Sequence, residues 1–154
     1  MSEIKDQYNL LKSKYNLPVF NEIDHVFEIS IIDNEHFLLR EIRKIIIAKI
    51  KSFTDILEDI IHPNSTVSAY HECRFFSEDE KKQLYDLYGK LMGVIRTSNM
   101  LEVDSSDELE ARFINDSFNA WPIMKKDLAV IMKKLRDCWS AEEIADTGTS
   151  RYFG

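Results

Sequence analysis

The chain has 154 residues, 44% apolar and 31% charged, which fits one globular domain with a real core and excludes disorder throughout. A formal net charge of −7 excludes indiscriminate binding of nucleic acid or an anionic membrane surface by the molecule as a whole. Two cysteines, Cys73 and Cys138, with no C-x-x-C between them, exclude a disulfide framework and point to a reducing, cytoplasmic setting.

Four glycines, three prolines and the scarcity of alternating apolar stretches predict an all-α fold. The expected architecture is a single bundle of about five helices over residues 1–139, with a loose C-terminal tail over 140–154. The N-terminal stretch is interrupted by charges every few residues and lacks the apolar core of a signal peptide. No segment reaches the apolar length that crosses a bilayer.

Residues 3–16 read as a first amphipathic helix, with Ile4, Tyr8, Leu11 and Tyr15 along one side. Pro18 ends it, and Asn21 is placed to cap a short helix carrying Ile23, Val26 and Phe27. Residues 33–62 then read as one long helix, the scaffold of the bundle. Leu38, Leu39, Ile42, Ile45, Ile46, Ile50, Phe53, Ile56, Leu57 and Ile60 fall on one wide apolar arc. Lys49 projects from the middle of that arc, so its ammonium must either snorkel past apolar neighbours or meet a buried carboxylate.

Arg40, Arg43, Lys44 and Lys51 gather on the other side of this helix, while Asp55, Glu58 and Asp59 come later. The helix dipole favours the reverse order, so something outside the helix is expected to balance these bases. Acidic segments elsewhere in the chain, a second copy of it, or a polyanion would each serve.

The helix is expected to end at His62, before Pro63. Residues 63–76 form the longest irregular stretch, in which Asn64 or Ser65 offers one further helical turn and His71 and Cys73 read as solvated loop groups. Ser77 and Glu80 have the spacing of a capping box and start a helix running to about Val103. Gly89 and Gly93 lie together on the face opposite its apolar stripe, and each costs about 1 kcal/mol relative to alanine in a helix interior. A helix-contact surface, within the bundle or against another subunit, would explain them.

Ser105 and Glu108 offer a second capping box. The helix that follows carries Leu109, Phe113, Ile114, Phe118 and Trp121, with a kink or restart expected at Pro122. From Trp121 through Met124, Leu128, Ile131, Leu135 and Cys138 the apolar positions step by three and four, a seam expected to pack inside its own bundle. Residues 146–153, DTGTSRYF, carry the aromatic pair Tyr152 and Phe153. This stretch resembles the peptide by which many DNA-replication proteins dock onto sliding clamps, and departs from it with Asp146 and Thr149 in place of a glutamine and an aliphatic residue. The resemblance implies a tail that binds a protein partner.

Three acid–histidine pairs occur at i,i+3, but only Glu22 with His25 has the Glu-x-x-His form used by ferritin-like di-iron bundles, and no second copy accompanies it. No phosphate loop, dinucleotide fingerprint or serine elbow is present. The sequence therefore leads to a non-catalytic protein-interaction module, homodimeric in one form, with no cofactor. The alternatives are a nucleic-acid-associated accessory protein using Arg40, Arg43, Lys44 and Lys51, and a metal-dependent helical-bundle enzyme using Glu22 and His25.

Overall fold

The computed structural model describes residues 3–33 and 36–140. Among these there are six α-helices, one 3-10 turn and no strand: α1 Glu3–Tyr15, α2 Phe20–Phe27, the turn Ile29–Ile31, α3 Leu38–Ile61, α4 Val67–Cys73, α5 Glu78–Val103 and α6 Asp107–Asp137. The all-α bundle holds, and α3 packs against each of the other helices. Its buried row of Leu38, Leu39, Ile42, Ile46, Ile50, Leu57 and Ile60 is the axis of the core.

The small helices close one side of that axis. Asn16, at φ 54°, turns the chain out of α1, and the amide of Leu17 donates to the carbonyl of Lys12, the bond that ends a helix in a Schellman turn. Tyr8 is fully buried and donates its hydroxyl to the carbonyl of Pro18 at 2.6 Å; burial pushes its phenol pKa up. Contrary to expectation Asn21 does not cap α2. The N-cap is Val19, without a side-chain bond, and the helix is held instead by the burial of Phe20, Ile23 and Phe27.

The long helix starts five residues later than its periodicity implied. Phe37 takes the left-handed conformation, φ 58°, which costs about 1–3 kcal/mol in a residue other than glycine and turns the chain so that Leu38 and Leu39 are both buried. The exposed Phe37 ring lies 4.9 Å from the guanidinium of Arg40. Asp33 therefore stands ahead of the helix.

A sixth helix occupies the stretch expected to be irregular. Thr66, neither Asn64 nor Ser65, is its cap: its hydroxyl accepts from the amide of Ala69, while the Asn64 side chain accepts from both the amide and the hydroxyl of Thr66. His71 and Cys73 are consequently buried, against the expectation of solvated loop groups. The Nε2 of His71 donates to the carbonyl of Cys138 at 2.9 Å, and its ring stacks 4.1 Å from Trp139, whose indole donates to Glu72. These contacts tie α4 to the end of α6.

The Ser77–Glu80 capping box is complete in both directions. The second box is not formed: Ser106 caps α6 by accepting from the amide of Leu109, and Ser105 turns inward instead. Helix α6 runs unbroken through Pro122, with no restart, and its seam of Trp121, Met124, Leu128, Leu135 and Cys138 is buried within the bundle, with Ile131 part-buried against it.

Lys134 on α6 and Glu80 on α5 pair at 2.6 Å, and this bond, with a second from the Ser77 amide, lowers the Glu80 carboxyl to about 2 from an ordinary 4.5. A carboxylate held low stabilises the fold fully above its unfolded value; that contribution is lost as pH falls from about 4.5 towards 2. Both side chains are more than a third exposed, so the effect on stability is below about 1 kcal/mol. In Lys134→Met the Glu80 titration midpoint, followed by carboxyl NMR, is expected to rise towards 4.5. An unmoved midpoint would show that the lysine contributes nothing.

Candidate functional site

Three helices meet at Arg43. The sequence places it beside the apolar row of α3, and packing drives it inward to 1% exposure. Its Nε donates to Glu110 Oε2 at 2.6 Å, and its Nη1 donates to Glu102 Oε1 and to the Ser98 hydroxyl, each at 2.7 Å. Ser98 and Glu102 stand one turn apart on α5; Glu110 lies in the first turn of α6. Ser105, in the connection between those helices, donates to the other oxygen of Glu110 at 2.8 Å.

Burial opposes the Arg43 charge, but the hydrogen bonds and charges of Glu110 and Glu102 outweigh it and hold the guanidinium above its ordinary value. The same bond lowers Glu102, helped by the nearby charges of Lys44 and Arg40. A guanidinium does not give up its proton in a protein, and both oxygens of Glu110 already accept hydrogen bonds. The cluster is thus a clamp between α3, α5 and α6, with the arginine's Nη2 as the one buried polar side-chain atom lacking a partner among the described residues.

This clamp divides the expected basic stripe. Arg43 is inside and bound to this chain's own acids, so it cannot face a polyanion. Arg40, half-buried, is stacked on Phe37; Lys44 is exposed and 3.4 Å from Glu41; Lys51 is exposed. Sequence reasoning missed the clamp, although a signal was present. Glu110 prolongs the α6 seam backwards from Ile114, Ser117 and Trp121, and Ser98 sits in line with Leu91 and Ile95, so polar residues occupied apolar positions on both helices.

Lys49 follows neither of its two expected routes. It is part-buried, donates to the backbone carbonyl of Val26 at 2.7 Å at the end of α2, and lies 5.0 Å from the centre of the Trp121 ring. Helix-end carbonyls and an aromatic face replace the carboxylate. Glu22 and His25 are both exposed on α2, and no group of three or more potential metal ligands forms among the described residues.

Gly89 and Gly93 lie on the outer face of α5, where a Cβ added to either would meet nothing within 4 Å among the described residues. Of the two surfaces expected there, one within the bundle and one against another subunit, the first is not formed among the described residues. Along the same face Tyr85, Met100 and Val103 are 63%, 70% and 89% exposed. To one side, α5 and α6 spread apart around a groove of about 410 Å³ floored by Phe76, Leu84, Leu87 and Ile131 and rimmed by the Glu80–Lys134 pair.

Tyr152 and Phe153 lie outside the described residues, as does the rest of 141–154. No described helix is long and apolar enough to cross a membrane. Comparison with protein-family models, with curated proteins and with solved structures finds no match to this chain.

Proposed function

We propose that the chain is a helical protein-interaction module that offers the outer face of α5 to a protein partner. The observation that carries this reading is the exposure of Tyr85, Met100 and Val103 in register with the open Gly89 and Gly93, on a helix whose other face is fully employed in the core. An apolar helix face of this kind is ordinarily covered by another protein surface. Glycines that cost helix stability and meet nothing among the described residues fit a close-approaching partner.

A cytoplasmic setting fits two free, buried cysteines. A nucleic-acid role through Arg40, Arg43, Lys44 and Lys51 is less well supported, because its central arginine is committed to Glu102 and Glu110. A metal-dependent role has only the exposed pair Glu22 and His25 behind it.

The reading is tested by a photo-crosslinking residue placed at Tyr85 and, as a control, at the equally exposed Leu10 on α1, in the native cell. A discrete protein adduct from position 85 alone is expected. Equal labelling from both positions, or adducts to nucleic acid only, would overturn it.

A further inference from the structure

The groove between α5 and α6 is unfinished in both packing and charge. Phe76, Leu84 and Leu87 on one wall and Ile131 on the other make an apolar floor, and Val130 on the rim is 68% exposed. Of the charged side chains around it, Glu80 and Lys134 satisfy each other. Asp86, Lys90 and Asp127 are exposed and form no ion pair among the described residues, which leaves two carboxylates against one ammonium. Lys125 and Lys126 lie off the lining. An occupant that completes this site brings large apolar side chains for the floor and one base beside them.

One segment of the chain has that composition and is tethered at the near end of the groove. Helix α6 ends at Asp137, within one turn of Lys134, and residues 141–154 follow. They contain a single base, Arg151, which directly precedes Tyr152 and Phe153. Their acids, Glu142, Glu143 and Asp146, come first. These follow a last helical turn in which the exposed Lys133 and Arg136 share Asp137 as their one acidic partner among the described residues.

Reach and tethering both favour this occupant. Turning back at residue 140, the chain needs roughly 20 Å along α6 to bring residue 152 beside Asp127, whereas the residues between 140 and 152 span up to roughly 40 Å when extended. The fit demands no stretched chain. A peptide linked this closely meets its site at an effective concentration on the order of 1 mM, and a separate protein segment of the same composition has to overcome that advantage.

We propose that residues 141–154 turn back over α6 and seat Tyr152 and Phe153 on the floor of this groove, with Arg151 held by Asp86 and Asp127. The seated pair is closed to other proteins, and a partner that reads it has to displace it first. The contact lies beside the outer face of α5 and stands whether or not that face has a partner.

The test places the photo-crosslinking residue p-benzoylphenylalanine at position 153 of the full chain and maps the adduct by mass spectrometry. Methyl NMR of the full chain follows the closed-to-open ratio in the wild type, Tyr152→Ala/Phe153→Ala, Asp127→Arg, Arg151→Asp and the exchanged pair Asp127→Arg/Arg151→Asp. An adduct confined to the groove lining, in a chain of monomer mass, is expected. Replacing both aromatics should shift the methyls of Val130 and Ile131 and leave those of Ile4 and Ile23 in place. Each single charge variant should lower the closed-to-open ratio at least threefold, and the exchanged pair should restore it. Asp127 is exposed, so its replacement leaves the bundle folded, as circular dichroism checks.

Adducts scattered over the surface, or confined to another helix face, overturn the proposal. So does a groove adduct found only in crosslinked dimers, which makes the occupant the segment of a second copy. Groove methyls that stay in place when both aromatics are removed overturn it too, as does a charge exchange that fails to rescue. The adduct at position 85 is read separately, so failure here leaves the protein-interaction reading to its own test.

Discussion

Replacing Arg43 by methionine is expected to lower the unfolding free energy by about 3–5 kcal/mol, because Glu110 is then left buried without a countercharge. In a chain of this length that corresponds to a fall of roughly 10 °C in Tm. Urea denaturation followed by circular dichroism measures it, with the slope of the transition checked for a change in two-state behaviour. The loss belongs to the broken pair and not to the missing arginine alone. Removing both partners in Arg43→Met/Glu110→Leu is therefore expected to recover most of it, since an apolar pair of similar volume often serves as well as a buried ion pair. If Arg43→Met changed stability by less than about 0.5 kcal/mol, the size of an ordinary surface substitution, the clamp would not be holding α3, α5 and α6 together.

The second large effect is expected at Trp121. Its ring meets Phe27 at 5.8 Å and Phe53 at 6.2 Å between centroids, carries the ammonium of Lys49 over its face, and is 6% exposed. Trp121→Ala should cost about 3–5 kcal/mol through the cavity it opens between α2, α3 and α6. Trp121→Phe should cost markedly less, as an aromatic face remains for Lys49. Ile123→Ala, two residues on but 68% exposed, should be close to neutral. Equal losses at 121 and 123 would mean that α6 is rotated from the orientation described.

The features read correctly from the chain are those decided by neighbours in sequence. Ser77 and Glu80 are three residues apart, so the start of α5 is written in four consecutive positions, and the α6 seam needs only its own spacing. The features that escaped depend on distant partners. Arg43 is 55 residues from Ser98 and 67 from Glu110, and nothing in the periodicity of α3 tells a solvated arginine from one met by acids on two other helices. Lys49 likewise shows only solvent and a carboxylate as its options, because the carbonyl of Val26 is invisible in a sequence of side chains.

Local signals also failed where tertiary packing overruled them. Phe37 adopts a backbone conformation that composition gives no reason to expect, and it delays the long helix until both Leu38 and Leu39 can enter the core. Ser105 has the box partner Glu108 in the sequence, yet the buried Glu110 claims its hydroxyl and leaves Ser106 to start α6. For Gly89 and Gly93 the pattern located the face correctly but said nothing of whether the bundle itself would fill it.

The bond from His71 to the backbone of Cys138 couples the fates of two segments that are far apart in the chain. A seven-residue helix cannot persist in water on its own propensity, so α4 depends on its packing against α3 together with the Cys138 carbonyl and the Trp139 ring. Fraying that begins at the C-terminal end of α6 removes the second of these supports and is therefore expected to lower the protection of α4 as well. Tension applied beyond residue 140 would thus reach residues 67–73 before it disturbs the clamp at Arg43, near the opposite end of the bundle.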